Sequence, residues 1–148
     1  FKFLFLSSGY NLRSTEINAF LGINMLRKIN KWIRIRNKNY KKFIAIQKKF
    51  KDKFLITFDK NMSSFVLPFL LKNKLLKNKL ENFLNKNGIE TRPFIAGNLL
   101  RQPFLNNYRK KIMKNSDFIE YNSFYIGNNQ FVNEKRLKRL EKLLRSFF

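Results

Sequence analysis

The chain contains no cysteine and no histidine, and only nine acidic side chains among its 148 residues. Without cysteine there is no disulfide framework, and without either residue the usual ligands of a zinc site are missing, so no metal is expected. A Ser-His-Asp or Cys-His nucleophilic arrangement is excluded on the same ground. Glycine (5) and proline (3) are scarce too. There is no Gly/Ser linker, no internal repeat and no glycine-rich phosphate loop. The opening Phe1-Lys2-Phe3-Leu4-Phe5-Leu6 is too short to cross a bilayer and lacks the basic leader and small-residue cleavage site of a signal peptide. It reads as a buried strand or an entering segment. Because the first residue is Phe and not Met, the chain reads as a piece of a longer protein.

Hydrophobic residues make up 44% and aromatics 16%, with 18 phenylalanines, which is not a disordered composition. The length suits one domain with a real core and is too short for two. The net charge of +23 would suit a polyanionic partner. However, Lys, Asn, Ile and Phe all have codons built mainly from A and T, so the lysine excess is read as drift in base composition over an indifferent surface. Arginine is disfavoured by such drift, which gives Arg13, Arg92 and Arg101 more weight than any lysine.

After the turn at Gly9, Ser14 or a near neighbour caps a helix. Its apolar residues Ile17, Phe20, Leu21, Met25, Leu26 and Ile29 follow helical spacing. The pattern runs on through Trp32, Ile33, Ile35, Phe43, Ile44 and Ile46 to Phe50, with a break expected near Ile29–Lys31. Strand signals follow at Phe54–Phe58 and Ser64–Leu71. Leu75, Leu76, Leu80, Phe83 and Leu84 mark an amphipathic helix that stops at Asn87-Gly88. Ile89–Phe94 reads as a short strand near an edge, because Pro93 interrupts it. Ala96–Asn107 reads as a loop with some helical turn, followed by a short helix over Ser116–Tyr121 and a strand over Phe124–Ile126. The last helix carries Leu137, Leu140, Leu144 and Phe147 on one stripe and is capped by Asn133. This order implies a short sheet covered by helices, in the α/β or α+β class.

Three clusters stand out against the Lys/Asn/Phe background: Gly9-Tyr10-Asn11-Leu12-Arg13 with Glu16, Gly88–Pro93 continuing over Ala96–Pro103, and Phe124–Gln130. They sit at element ends, where functional loops concentrate. None contains a general base with an obvious partner. They offer donors and cations, so they suit an anion, as does the start of a helix.

Those same residues resemble the DegT/DnrJ/StrS family of fold-type I pyridoxal-phosphate enzymes, which act on nucleotide-linked keto-sugars. The family pattern G-Y-N-x-R-x-x-E is met by Gly9, Tyr10, Asn11, Arg13 and Glu16, with Ala19 in the following small-residue helix, and G-I-E-T-R-P is met by Gly88 to Pro93. The blocks Ala96–Pro103 and Phe124–Gln130 are most similar to the branch of sugar 3-dehydratases and perosamine-type aminotransferases. Asn129 stands where sequences of that branch often carry His.

The resemblance implies that 1–148 is a C-terminal domain fragment. Residues 1–50 form a helical lead-in carrying the cofactor-phosphate motif, residues 51–148 form a small sheet-and-helix domain, and the large cofactor domain is missing. It implies pyridoxal 5'-phosphate or pyridoxamine 5'-phosphate as cofactor, a homodimer with shared active sites, a nucleotide-sugar substrate, a cytoplasmic enzyme, and no nucleic-acid or membrane partner. The reactive Lys or His would lie upstream, so no catalytic residue is assigned here and the fragment alone is expected to be inactive. Asn11 would reach the cofactor phosphate of the neighbouring subunit, or else stabilise its own turn. Arg13 would reach the nucleotide diphosphate or pair with Glu16. Arg92 would hold the sugar nucleotide, with Asn98 nearby, or close a structural ion pair. Arg101 and Tyr10 are weaker candidates. The competing reading is a small basic nucleic-acid-binding module. That reading needs a clustered cationic face, whereas the lysines are spread over every segment.

Overall fold

The computed structural model describes residues 4, 6, 7, 9, 15–55, 62–95, 97–108 and 112–148. The elements are α1 (Glu16–Leu26), α2 (Ile29–Lys48), β1 (Val66–Leu70), α3 (Lys74–Lys86), two 3₁₀ turns (Leu99–Arg101 and Pro103–Tyr108), α4 (Lys114–Asn122), β2 (Ser123–Gly127) and α5 (Glu134–Phe147). Thr15, a neighbour of the expected Ser14, caps α1 by accepting the Asn18 amide at 3.2 Å. The break between the first two helices falls at Arg27–Lys28, two residues before its expected place.

β1 and β2 pair antiparallel, with Leu67 opposite Ile126 and Phe69 opposite Phe124. The arrangement is therefore α+β, a short sheet covered by helices. Alternation sends Leu67, Phe69, Phe124 and Ile126 to one face, where α2, α3 and α5 bury them. The Phe69 and Phe124 rings stack at 4.7 Å, and Phe43 of α2 meets Phe69 edge-on at 5.0 Å. Such cross-strand aromatic pairs add to the burial of apolar area. Leu80 and Leu84 of α3 and Leu137, Leu140 and Leu144 of α5 complete the core.

Two expected strands are shorter than the sequence suggests. Of Phe54–Phe58, Phe54 makes an isolated bridge to Leu71, and 56–58 lie outside the described residues. Ile89–Phe94 is reduced to one bridge between Arg92 and Tyr125, because Pro93 has no N–H to extend the ladder. The helix expected at Ser116–Tyr121 is longer at both ends, Lys114–Asn122.

Buried amides tie the layers together. Gln47 of α2 donates to the carbonyl of Pro68 at 2.9 Å. Asn128, fully buried, donates to the carbonyls of Ser64 and Arg36 at 2.9 and 3.2 Å and accepts from Asn39 at 3.3 Å. Its own amide donates to Phe65 at 2.7 Å. On the surface, Lys42–Glu134 and Lys49–Glu141 link α2 to α5 at 2.7 and 2.6 Å.

Candidate functional site

Tyr10, Asn11 and Arg13 lie outside the described residues, and so does the expected Arg13–Glu16 pairing. The described part of that cluster is Gly9, Thr15 and the start of α1 at Glu16.

The second cluster begins where α3 ends. Gly88 takes φ of +73°, a conformation that costs glycine little, and Ile89 N–H returns to Leu84 at 2.9 Å. The chain then runs out along β2. Arg92 exchanges both backbone hydrogen bonds with Tyr125, at 2.9 and 2.8 Å. Thr91 is buried. Its hydroxyl accepts from Asn85 Nδ2 at 2.7 Å and its backbone N–H donates to Asn85 Oδ1 at 3.1 Å, so the backbone around Arg92 is fixed on both sides. The Arg92 guanidinium is more than half exposed, and its Nη2 and Nε donate to Glu90 at 2.6 and 3.0 Å. An ion pair this open to solvent is worth little. Arg92 is therefore a positioned, exposed fork that an incoming phosphate can take from Glu90.

Asn98 is placed differently. It is buried, its Nδ2 donates to Asp117 at 2.7 Å, its backbone N–H donates to Glu120 at 2.9 Å, and its Oδ1 caps the 3₁₀ turn through Leu100 at 3.1 Å. Arg101 shares the same partners. Its Nη2 and Nε donate to Asp117 at 2.8 and 3.1 Å, its Nε lies 3.3 Å from Glu120, and its Nη1 donates to the Tyr121 hydroxyl. Its guanidinium also lies over the Tyr121 ring at 4.7 Å. The hydrogen bonds from Asn98 and Arg101 hold the Asp117 carboxyl below its ordinary range, and the bond to Asp117 raises Arg101. Gly97, with φ of +59°, leaves room for Glu120, since a Cβ there would meet its side chain at 2.9 Å.

Asp117, Glu120 and Tyr121 form one face of α4 that clasps the 97–101 segment. Sequence reading passed over these three residues. Their i, i+3, i+4 spacing on a short helix was the available signal. Asn98 and Arg101 are thus engaged within the chain, while Arg92 is engaged by a single exposed carboxylate.

In the third cluster, Phe94 meets the Tyr125 ring edge-on at 5.8 Å. Asn128 is a structural hub. Asn129 accepts the Phe131 amide at 2.9 Å, which closes a local turn. No group of three or more acidic side chains suited to a metal occurs among the described residues, and no helix among them is long and apolar enough to cross a membrane.

A model of the DegT/DnrJ/EryC1/StrS aminotransferase family matches residues 2–144, in line with the resemblance read from Gly9–Glu16 and Gly88–Pro93. The GDP-4-keto-6-deoxy-D-mannose 3-dehydratase of Escherichia coli O55:H7 is 30% identical over 138 residues, covering 87% of this chain and 35% of that protein. A solved structure of E. coli GDP-4-keto-6-deoxy-D-mannose-3-dehydratase with bound hydrated PLP is similar at TM-score 0.73 and 28% identity, over 97% of this chain and 38% of that one. Another structure of GDP-4-keto-6-deoxymannose-3-dehydratase, with bound GDP-perosamine, is similar at TM-score 0.76 and 28% identity, over 96% of this chain and 38% of that one. The chain therefore spans little more than a third of the length of these relatives.

Proposed function

The chain belongs to the DegT/DnrJ/EryC1/StrS aminotransferase family, and we propose that it is the C-terminal portion of a cytoplasmic enzyme acting on a nucleotide-linked keto-deoxysugar. The reaction is transamination or 3-dehydration, in surface polysaccharide or deoxysugar biosynthesis. The observation that carries this reading is the 30% identity to a GDP-4-keto-6-deoxy-D-mannose 3-dehydratase over 87% of the chain. The exposed fork of Arg92 within the hexapeptide Gly88–Pro93 supports it, because a diphosphate needs such a partner.

Pyridoxal 5'-phosphate or pyridoxamine 5'-phosphate, when bound, supplies the electron sink for chemistry next to the sugar carbonyl. This chain provides part of the seat. Asn11, just ahead of α1, brings a neutral amide donor that suits a phosphate without adding charge, and it serves the pocket of a neighbouring subunit. Arg92 binds the nucleotide diphosphate, exchanging Glu90 for it. Arg13 adds a second cation, and Asn98 keeps the loop after Arg92 in place and lies beside the sugar nucleotide. The acid–base residue belongs to the upstream portion, so the isolated fragment is inactive.

Homodimer formation is supported by α1. Ile17, Phe20 and Leu26 are 72%, 67% and 63% exposed, and the helix buries none of its residues. A helix with this much exposed apolar surface is one that another surface covers.

The test is to express the chain with its upstream portion and assay nucleotide-linked 4-keto-6-deoxysugars with and without an amino donor. Arg92→Ala should raise KM about tenfold or more while changing kcat less, as expected for a lost charge-assisted hydrogen bond. Asn11→Ala should weaken cofactor retention. A protein that binds no cofactor and turns over none of these sugars would end this reading.

A further inference from the structure

We propose that the groove between α5 and the turn after α3 binds a phosphomonoester carried on an apolar body, a second ligand beside the one the enzymatic reading gives to Arg92. The groove holds about 370 Å³, within the range of roughly 300–1,000 Å³ typical of small-molecule sites. Its lining combines the apolar Ile89, Ile126, Val132 and Leu137 with the exposed Arg136 and Arg139. Apolar side chains beside two guanidinium groups suit a ligand with one charged end and one dry end.

The charges are arranged for an anion. Glu90 is the only acid of the lining among the described residues, and its carboxylate is already paired with Arg92 at 2.6 Å. Arg136 and Arg139 are three residues apart on α5, so they share a helix face. Arg139 is held in place by donating Nη2 to the carbonyl of Asn87 at 2.5 Å. The Arg136 side chain makes no hydrogen bond or ion pair among the described residues, in contrast to Arg92, Arg101 and Arg145. Asn129 Oδ1 accepts from the Phe131 backbone N–H, leaving its amide nitrogen as a further neutral donor in the lining. Two guanidinium groups and an amide offer enough donors for the three oxygens of a phosphomonoester, which a carboxylate would leave partly unused. Arg92 is not part of the lining but its partner Glu90 is, so the groove borders the Arg92 fork without including it.

The probe is phenyl phosphate, titrated into the longest polypeptide that carries this chain, with cofactor present so that its phosphate seat is filled. Binding is followed by the methyl signals of Ile126, Val132 and Leu137. Saturable shifts confined to methyls of the lining are expected, with Arg136→Gln weakening the affinity about tenfold, as for one lost charge-assisted contact. Lys135→Gln, which removes the same charge from the exposed neighbour outside the groove, should change nothing. Three results would overturn the site: shifts that never saturate, equal losses in the two variants, or inorganic phosphate acting as strongly as phenyl phosphate. The last two would mean a general cationic field with no groove selectivity. Sugar turnover should be unaffected by Arg136→Gln, so the outcome is read apart from that of the enzymatic reading.

Discussion

Asp117 shows how a residue that sequence reading ignored governs two that it favoured. A single oxygen, Oδ1, accepts from Asn98 at 2.7 Å and from Arg101 at 2.8 and 3.1 Å. Those bonds lower its pKa, with Asn98 the larger cause and Arg101 the second. A carboxyl depressed in the folded state contributes stability above its ordinary value, about 3.9 for Asp. That contribution is lost as pH falls through the lower folded value. Hydrogen-exchange protection factors at Leu100, Arg101 and Gln102 should therefore hold through neutral pH and fall below about pH 4, where Asp begins to protonate. Asp117→Asn should produce the loss already at neutral pH. Full protection in that variant would show that the 3₁₀ turn stands without the clasp. Arg92 behaves in the opposite way: its partner is exposed and its backbone is fixed, so the side chain is free to change partners while its anchor stays put.

At the level of elements, legibility followed the range of the interactions. The stripes Leu80/Leu84 and Leu137/Leu140/Leu144 are local, and both helices form where the spacing placed them. Asn133 caps α5 through Arg136 N–H at 3.0 Å, as expected. The glycine stop at Gly88 was readable for the same reason. Asn128 was not, because its partners lie 64 to 92 residues away and no local pattern announces them. The clasp on Asn98 was hidden likewise, depending on a helix that approaches from 19 residues downstream. The Ile89–Phe94 strand failed locally, at Pro93. The centre of the sheet is where packing can be tested. Phe69 is fully buried and touches the rings of Phe43, Phe54 and Phe124. Phe69→Ala should cost about 3–5 kcal/mol in urea unfolding, the usual loss for a buried aromatic. That is a large share of the roughly 5–15 kcal/mol of a typical domain. A loss near zero would mean that the β1–β2 pair and its helices do not fold around this cluster.

For the whole molecule, two features oppose each other: a net charge of +23 and an apolar α1 lacking any buried residue. Charge of one sign resists self-association, while an uncovered apolar helix promotes it. Salt separates the two. Screening weakens the repulsion over a Debye length of about 10 Å at 0.1 M and leaves hydrophobic contact intact, so association of this chain through α1 should increase as salt is added. Binding to a polyanion such as duplex DNA responds in the opposite sense, because released counterions make affinity fall with salt. Sedimentation of the chain at low and moderate salt should therefore show larger species at the higher salt, and Phe20→Lys should return it toward monomer. The same substitution in the longer polypeptide should weaken the dimer proposed for it. If Phe20→Lys leaves the sedimentation unchanged, α1 is not the associating surface. If anisotropy with duplex DNA shows tight binding that collapses on adding salt, the basic surface is a selected feature and the enzymatic reading loses its account of the charge.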